Sequence, residues 1–536
     1  MKTNFKQFFK ATEKGISKKL LPFIVACATT VAATAQVPAT QWQKTMGGNG
    51  TDDAYSIIQT TDGGYALIGS SDETSGEVTG NHGGSDYWVT KRNSAGAIEW
   101  QKSLGGEGED LAYSIAQTAD GGFVIAGNSD SQTGDVTGNQ GYSDYWIVKL
   151  SSTGTLEWQK SLGGSGVDQA YSVIQTVDGG YAVAGLSRSN DGDVIAAHGE
   201  NDCWMVKLSS AGLIEWQKSL GGSDVDEGYS VIQAADGGYV IAGTTSSTDG
   251  DVTGHHGINW NVDAWVIKLS DLGVIEWQKA FGGSNYDNAA SIIETADGGY
   301  AMAGQSSSTD GDVTVNHGAR DFWAVKMDRT GILEWQKSIG GSTGDESSSI
   351  VQCTDGGYMI AGYSNYNDGD VTGNHGLYDF LVVKLRPLGA VEYTKTYGGS
   401  SNDLGNSIVK TTDGGFALAG RSYSLDGDVA GHNGAAGTSD FWMIKLEAPA
   451  AAGVEETKNV VANMDVYPNP TSGKLFIDAN GSTIDQVNIY TTNGSLVSQI
   501  NKVQNRTVDM SQMPNGVYVA EIIAGNTNMK KRLVKM

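Results

Sequence analysis

"AYSIAQTADGGFVIAGNS", residues 112–129, is two short apolar runs joined by Asp-Gly-Gly. The runs carry β-branched and aromatic residues, and the glycines accept the positive φ that a tight turn needs. Together they read as a β-hairpin. Downstream come "YWIVKL" (145–150), a Ser/Thr/Gly turn and "LEWQKSLGG" (156–164). The stretch therefore belongs to a unit of four strand-like runs.

That unit repeats. The tryptophan of "EWQKSLGG" recurs at Trp42, Trp100, Trp158, Trp216, Trp277 and Trp335 and then as Tyr393, at intervals of 58 residues with one of 61. Asp-Gly-Gly followed by an aromatic begins at Asp62, Asp120, Asp178, Asp236, Asp297, Asp355 and Asp413. A third marker precedes each "YWIVKL"-like run: Asp86, Asp144, Asp202, Asp263, Asp321, Asp379 and Asp440. Seven units of four strands predict an all-β fold, a seven-bladed β-propeller with four-stranded blades over residues 36–446. The phase of the repeat predicts how it closes. The chain begins on a fourth strand at Gln41 and ends on a third at Leu446, so the N-terminal strand can complete the last blade. An open stack would need polar capping repeats, and none is seen. In such a ring the first strand of each unit lies innermost. The long loops then share one face with the "GGSxxD" loops, and the Asp-Gly-Gly hairpins take the other.

Residues 1–35 stand apart. Six lysines and one glutamate precede the apolar run "LLPFIVACATTVAATA", which ends small-x-small before Gln36. This reads as a secretory signal peptide; Ile24 to Cys27 also has the shape of a lipobox, with Cys27 as the lipidation site. No later stretch is apolar for long enough to span a bilayer. The formal charge of −26 disfavours nucleic acid and anionic lipid as partners. Cys203 and Cys353 occupy different repeat positions and are expected to be separate thiols.

Composition changes after Leu446. A small-residue linker, 447–459, leads to residues 460–536, where "YPNP" (467–470) with Gly473, "VNIYTTNGSLV", "MPNGVYVAEI" (513–522) and the terminal "KKRLVKM" follow in order. This segment resembles the type A sorting domain of the type IX secretion system. The resemblance implies an immunoglobulin-like β-sandwich and handling by the type IX machinery across a Bacteroidetes-type outer membrane. It further implies removal of the domain, with retention at the cell surface or release.

The candidate sites lie in the long loops. In "DGDVTGNHG" (368–376), oxygen-bearing side chains fall at Asp368, Asp370, Thr372, Asn374 and Asp379, the spacing of a twelve-residue calcium loop with Gly373 at its sharp turn. Other repeats keep this pattern only in part: Val315 replaces the glycine, and Thr133 and Ser75 replace the first carboxylate. The simpler account has Asp and Asn satisfying loop N–H groups, with the histidines, all seven of them in these loops, hydrogen-bonding locally. The recurrent "GGSxxD" aspartates (Asp52, Asp110, Asp168, Asp226, Asp287, Asp345, Asp403) suit the same structural role. Trp260 departs from the repeat. It sits beside Asn259 and Asn261 in a three-residue insertion, where an aromatic flanked by amides suits stacking against a sugar; folding back over its own loop is the alternative. Arg188 and Arg320 are further unrepeated residues of that rim.

No HExxH, CxxC or phosphate-binding loop is present, and near-identical repeats supply the same groups seven times rather than unlike groups at one place. The chain reads as a secreted or cell-surface, non-catalytic binding module with polysaccharide or another surface component as ligand. No cofactor is required, and calcium is the candidate ion. The rivals are a secreted enzyme acting on polysaccharide or peptide, and a self-associating adhesion or surface-layer component.

Overall fold

The computed structural model of the protein describes residues 37–257, 261–449, 465–478, 484–491, 496–501, 503, 506–524 and 527–536. The signal-peptide segment and the linker from residue 450 onward lie outside them. Among the described residues the regular structure is all β, with no α-helix.

Between Thr40 and Leu446 these residues form seven four-stranded antiparallel sheets. In six of them the strands follow chain order, as in Asp52–Gln59, Tyr65–Ser71, Asp86–Arg92 and Ile98–Leu104. The last sheet takes Asp403–Lys410, Phe416–Ser422 and Asp440–Leu446, and its outer strand is Thr40–Met46 from the opposite end of the repeat region. That strand pairs antiparallel from Thr40↔Leu446 to Met46↔Phe441. The first strand of each sheet lies beside the first strands of both neighbouring sheets, all the way round. This is a β-propeller, with the first strands innermost as the repeat phase predicts.

The core sits between sheets, because each sheet buries both faces. Ala66, Ile68 and Val89 of the first sheet pack with Ile115, Phe123 and Trp146 of the second. The same contact joins the last sheet to the first, where Met46, Phe441 and Met443 meet Ile57 and Trp88. Hydrogen bonds repeat the link on the hairpin face. Gln117 accepts from Thr61 N (2.8 Å), Gln175 from Ala119 N (2.7 Å), and Gln59 from Thr412 N (2.7 Å) across the closure. Lys410 holds this position in the last repeat, a side chain with no acceptor.

In the second sheet, Lys149 is buried in the third strand, and its ammonium lies 3.0 Å from Asp120 of the hairpin and 2.9 Å from Glu157 of "EWQK". A buried ammonium needs such partners. Gln159 accepts from Trp146 Nε1 (2.9 Å), and Trp158 packs edge-on against Tyr181 of the next sheet. Gly121 adopts φ 83°, the left-handed conformation the hairpin requires.

The C-terminal tail contains two sheets. A three-stranded sheet (Asp465–Tyr467, Lys474–Asp478, Thr507–Asp509) faces a four-stranded one (Leu496–Asn501, Gln486–Thr491, Gly516–Ala524, Thr527–Lys535). They share a core that includes Leu475, Ile477 and Val508 from one sheet and Val487, Ile489, Ile522 and Leu533 from the other. The "YPNPTSG" segment is tied to the terminal strand: Asn469 donates to Arg532 O (2.6 Å) and accepts from Val534 N (2.8 Å), and Thr471 N donates to Val534 O (2.8 Å).

Candidate functional site

The long loops are held by their own acids and amides. In the sixth repeat Asp379 is fully buried, and its Oδ2 accepts from His375 N at 2.8 Å and lies 2.7 Å from His375 Nδ1. Asp368 accepts from Ser342 N (2.8 Å), Asp370 N donates to Gly340 O (3.0 Å), and Thr372 O accepts from Thr396 Oγ1 (3.2 Å). Asn374 donates to Ser364 O (2.9 Å) and Leu377 O (3.0 Å) and accepts from Gly376 N (3.1 Å). Among the described residues no group of three or more His, Cys, Asp or Glu side chains is placed to hold a metal ion. The histidines also reach the neighbouring repeat. His82 Nε2 lies 4.0 Å from Asp135, and His375 Nε2 the same distance from Asp428.

Under these loops, carboxyl groups of adjacent repeats approach one another. A Cβ added to Gly105 would lie 2.6 Å from Asp86 Oδ1 and 2.5 Å from Asp110 Oδ2; Gly163 stands in the same way between Asp144 and Asp168, and Gly398 between Asp379 and Asp403. The "GGSxxD" carboxylates cap their own loop: Asp168 accepts from Gly164 N (2.8 Å) and Ser189 Oγ (2.8 Å). One oxygen of the other member, Oδ1 of Asp86, Asp144, Asp202, Asp263, Asp321, Asp379 and Asp440, is buried without a hydrogen-bond partner among the described residues. Burial, with the neighbouring carboxylate adding to it, pushes Asp86 up to about 6 and Asp144 up to about 7. Gly105→Ala would drive a methyl group into both acids, and a loss of about 1–3 kcal/mol in urea unfolding is the expected result.

The repeats are alike in these roles and differ at the axis. In six of the inner strands a β-bulge falls at the fourth residue, as at Tyr55 between the pairs Ala54↔Gly69 and Ser56↔Ile68. Bulges re-aim a side chain. The residues at the bulge are Tyr55, Tyr113, Tyr171, Tyr229, Ser348 and Asn406, and the equivalent of the remaining repeat is Ala290, just before its shorter inner strand Ser291–Glu294; all seven are half-buried. The four rings touch in series, with centroids 5.1, 5.5 and 5.4 Å apart. Beside them, Arg421 pairs with Asp53 (2.6 Å) and Arg320 with Glu346 (3.4 Å). Arg320 also lies 4.8 Å over the Tyr286 ring. Glu227 accepts from Asn201 (2.8 Å) and Tyr229 (2.6 Å), and Arg188 donates to Asn201 (2.6 Å). Unlike groups do converge in this protein, at the inner end of the loop-rich face.

Trp260 and Asn259 lie outside the described residues. Asn261 donates to Ser284 O and accepts at its own carbonyl from the His255 ring (2.9 Å), so its amide ties the insertion to the next repeat's loop. Arg188 and Arg320 do reach the convergent region. The tyrosines were missed because each sits in an ordinary strand run. The signal that finds them is the column of seven equivalent residues, which changes from Tyr to Ala, Ser and Asn halfway round the ring.

The chain is 22% identical over 466 residues to the regulatory protein FlaEY of Caulobacter vibrioides, covering 79% of this chain and 45% of that protein. It thus spans less than half the length of this relative. Among solved structures it is similar to the WD40 domain of Neurospora crassa Pan2 (8% identity, 74% of this chain and 89% of that one, TM-score 0.40). BamB from Moraxella catarrhalis is another (15%, 76% and 99%, TM-score 0.37). No described helix is long and apolar enough to cross a membrane. Residues 465–536 match the Secretion system C-terminal sorting domain family, which makes this tail a type IX sorting domain and the protein one that is exported to the cell surface or beyond it.

Proposed function

We propose that this chain is a non-catalytic binding module, a seven-bladed propeller carried outward by an immunoglobulin-like sorting domain, with polysaccharide as its ligand class. One observation supports the reading above others. Residues that differ between otherwise equivalent repeats gather at one place, the inner end of the loop-rich face, and they are aromatic, amide and charge-paired groups. Aromatic walls with a few fixed polar groups are how concave binding sites orient a ligand. The repeated acids have structural partners seven times over, which argues against reading them as a catalytic pair. Against a panel of bacterial and plant polysaccharides, with calcium and again in EDTA, the purified chain should bind at least one glycan saturably and release no product. Failure to bind any glycan would overturn the ligand class. Turnover abolished by a single acid substitution would establish the enzymatic rival.

A further inference from the structure

We propose that the arc of Tyr55, Tyr113, Tyr171 and Tyr229 around the ring's axis seats a segment of a neutral, hydroxyl-rich glycan chain, which enters on the side opened by Ala290, Ser348 and Asn406. The inference rests on the polysaccharide reading above and gives it a place.

Folding does not account for the tyrosines. The equivalent position holds Ala, Ser and Asn in three repeats that still form four-stranded sheets, although the inner strand after Ala290 is shortened to Ser291–Glu294, so a four-stranded sheet does not need an aromatic there. The four rings are nevertheless consecutive and touch in series, while the small residues are also consecutive. A ring of seven near-identical units is thereby made asymmetric at its centre, with four aromatic side chains on one side and smaller ones on the other, where Asn406 donates to Ala54 O (2.7 Å).

The polar groups choose the ligand. Arg421 is paired with Asp53 and Arg320 with Glu346, while Arg188 donates to Asn201. Two of these arginines face carboxylates, although Arg421 Nε has no partner among the described residues and Arg188 meets a neutral amide; it is the chain's charge of −26 that opposes an anionic ligand. The carboxylates Asp53 and Glu346 already hold cations, and Glu227 is held by an amide and a phenol, which weakens the case for a cationic ligand. Amides, phenols and neutralised carboxylates beside aromatic rings match a ligand with apolar C–H faces and hydroxyls.

The test uses the full mature chain and calorimetric titration with laminarin, xyloglucan, mannan and dextran, with alginate as the anionic comparison. Tyr113→Ala combined with Tyr171→Ala is expected to weaken binding of the neutral glycan at least about 30-fold, as central aromatic contacts do. Tyr113→Phe should change it less than about 3-fold. Ser348→Tyr, which adds bulk on the open side without removing a contact, should also weaken binding at least about 30-fold, and it guards against a folding defect in the double variant. Full binding by both the double variant and Ser348→Tyr would overturn the axial site while leaving the binding module intact; loss on Trp260→Ala instead would move the site to the insertion. No binding by any neutral glycan, or binding of alginate alone, would overturn this inference, and the former would overturn the broader reading with it.

Discussion

Deleting residues 37–46 is expected to abolish cooperative folding of the repeat region. These residues supply the outer strand of the last sheet, and the chain between them and Asp52 ties that sheet to the first one. Without them the edge from Asp440 to Leu446 loses its ladder of pairings to Thr40–Met46. Trp442 Nε1 loses its acceptor on Gln43 (2.7 Å), and Met46, fully buried in one cluster with Trp88 and Phe441, leaves a cavity. The cavity alone is worth about 2–5 kcal/mol and each ladder bond about 0.5–1.5 kcal/mol. Their sum is comparable with the whole stability of a typical domain, about 5–15 kcal/mol. A rearranged chain that starts at residue 47 and carries 37–46 after Leu446 should regain a single unfolding transition in calorimetry. Folding of the deletion variant with an unchanged transition would show that closure by the N-terminal strand is dispensable.

Stability is expected to be greater near pH 5 than at pH 8. Burial raises Asp52 and Asp144 to about 7 and Asp86, Asp226, Asp287 and Asp345 to about 6, all above the ordinary 3.8. Between about pH 4 and pH 7 the folded chain therefore holds more protons than the unfolded one, and stability falls as pH rises through that window. The hairpin acids act oppositely at lower pH. The Thr118 hydroxyl and Gly122 amide, with Lys149, hold Asp120 at about 2, so its contribution is lost as pH falls below about 4. A few kcal/mol shared over six groups should lower the thermal midpoint by at least about 5 °C from pH 5 to pH 8. Asp144→Asn should raise the midpoint at pH 8, since it removes one charge of a facing pair while keeping an acceptor for Gln140 N. A midpoint that climbs from pH 5 to pH 8, or an Asp144→Asn variant less stable at pH 8, would contradict this account.

The strand runs, the hairpins and the order of the sheets were legible because each is a local pattern repeated at a fixed interval. The closing strand was legible too, since the repeat begins and ends out of phase. The loop acids were legible as a class, and their reading as turn-holders agrees with Asp368 accepting from Ser342 N and Asn374 from Gly376 N. What they face was not legible. Asp86 and Asp110 belong to different sheets, and only the stacking of those sheets across Gly105 brings their oxygens together.

The sequence by itself determined the all-β repeats, their phase and the sorting tail, because periodicity and short motifs are properties of neighbouring residues. Only the tertiary structure decided that Tyr55, Tyr113, Tyr171 and Tyr229 form one wall, that Arg320 meets Glu346, and that the acids pair between repeats. Those contacts join residues of neighbouring repeats, and their geometry follows from how twisted sheets pack round an axis.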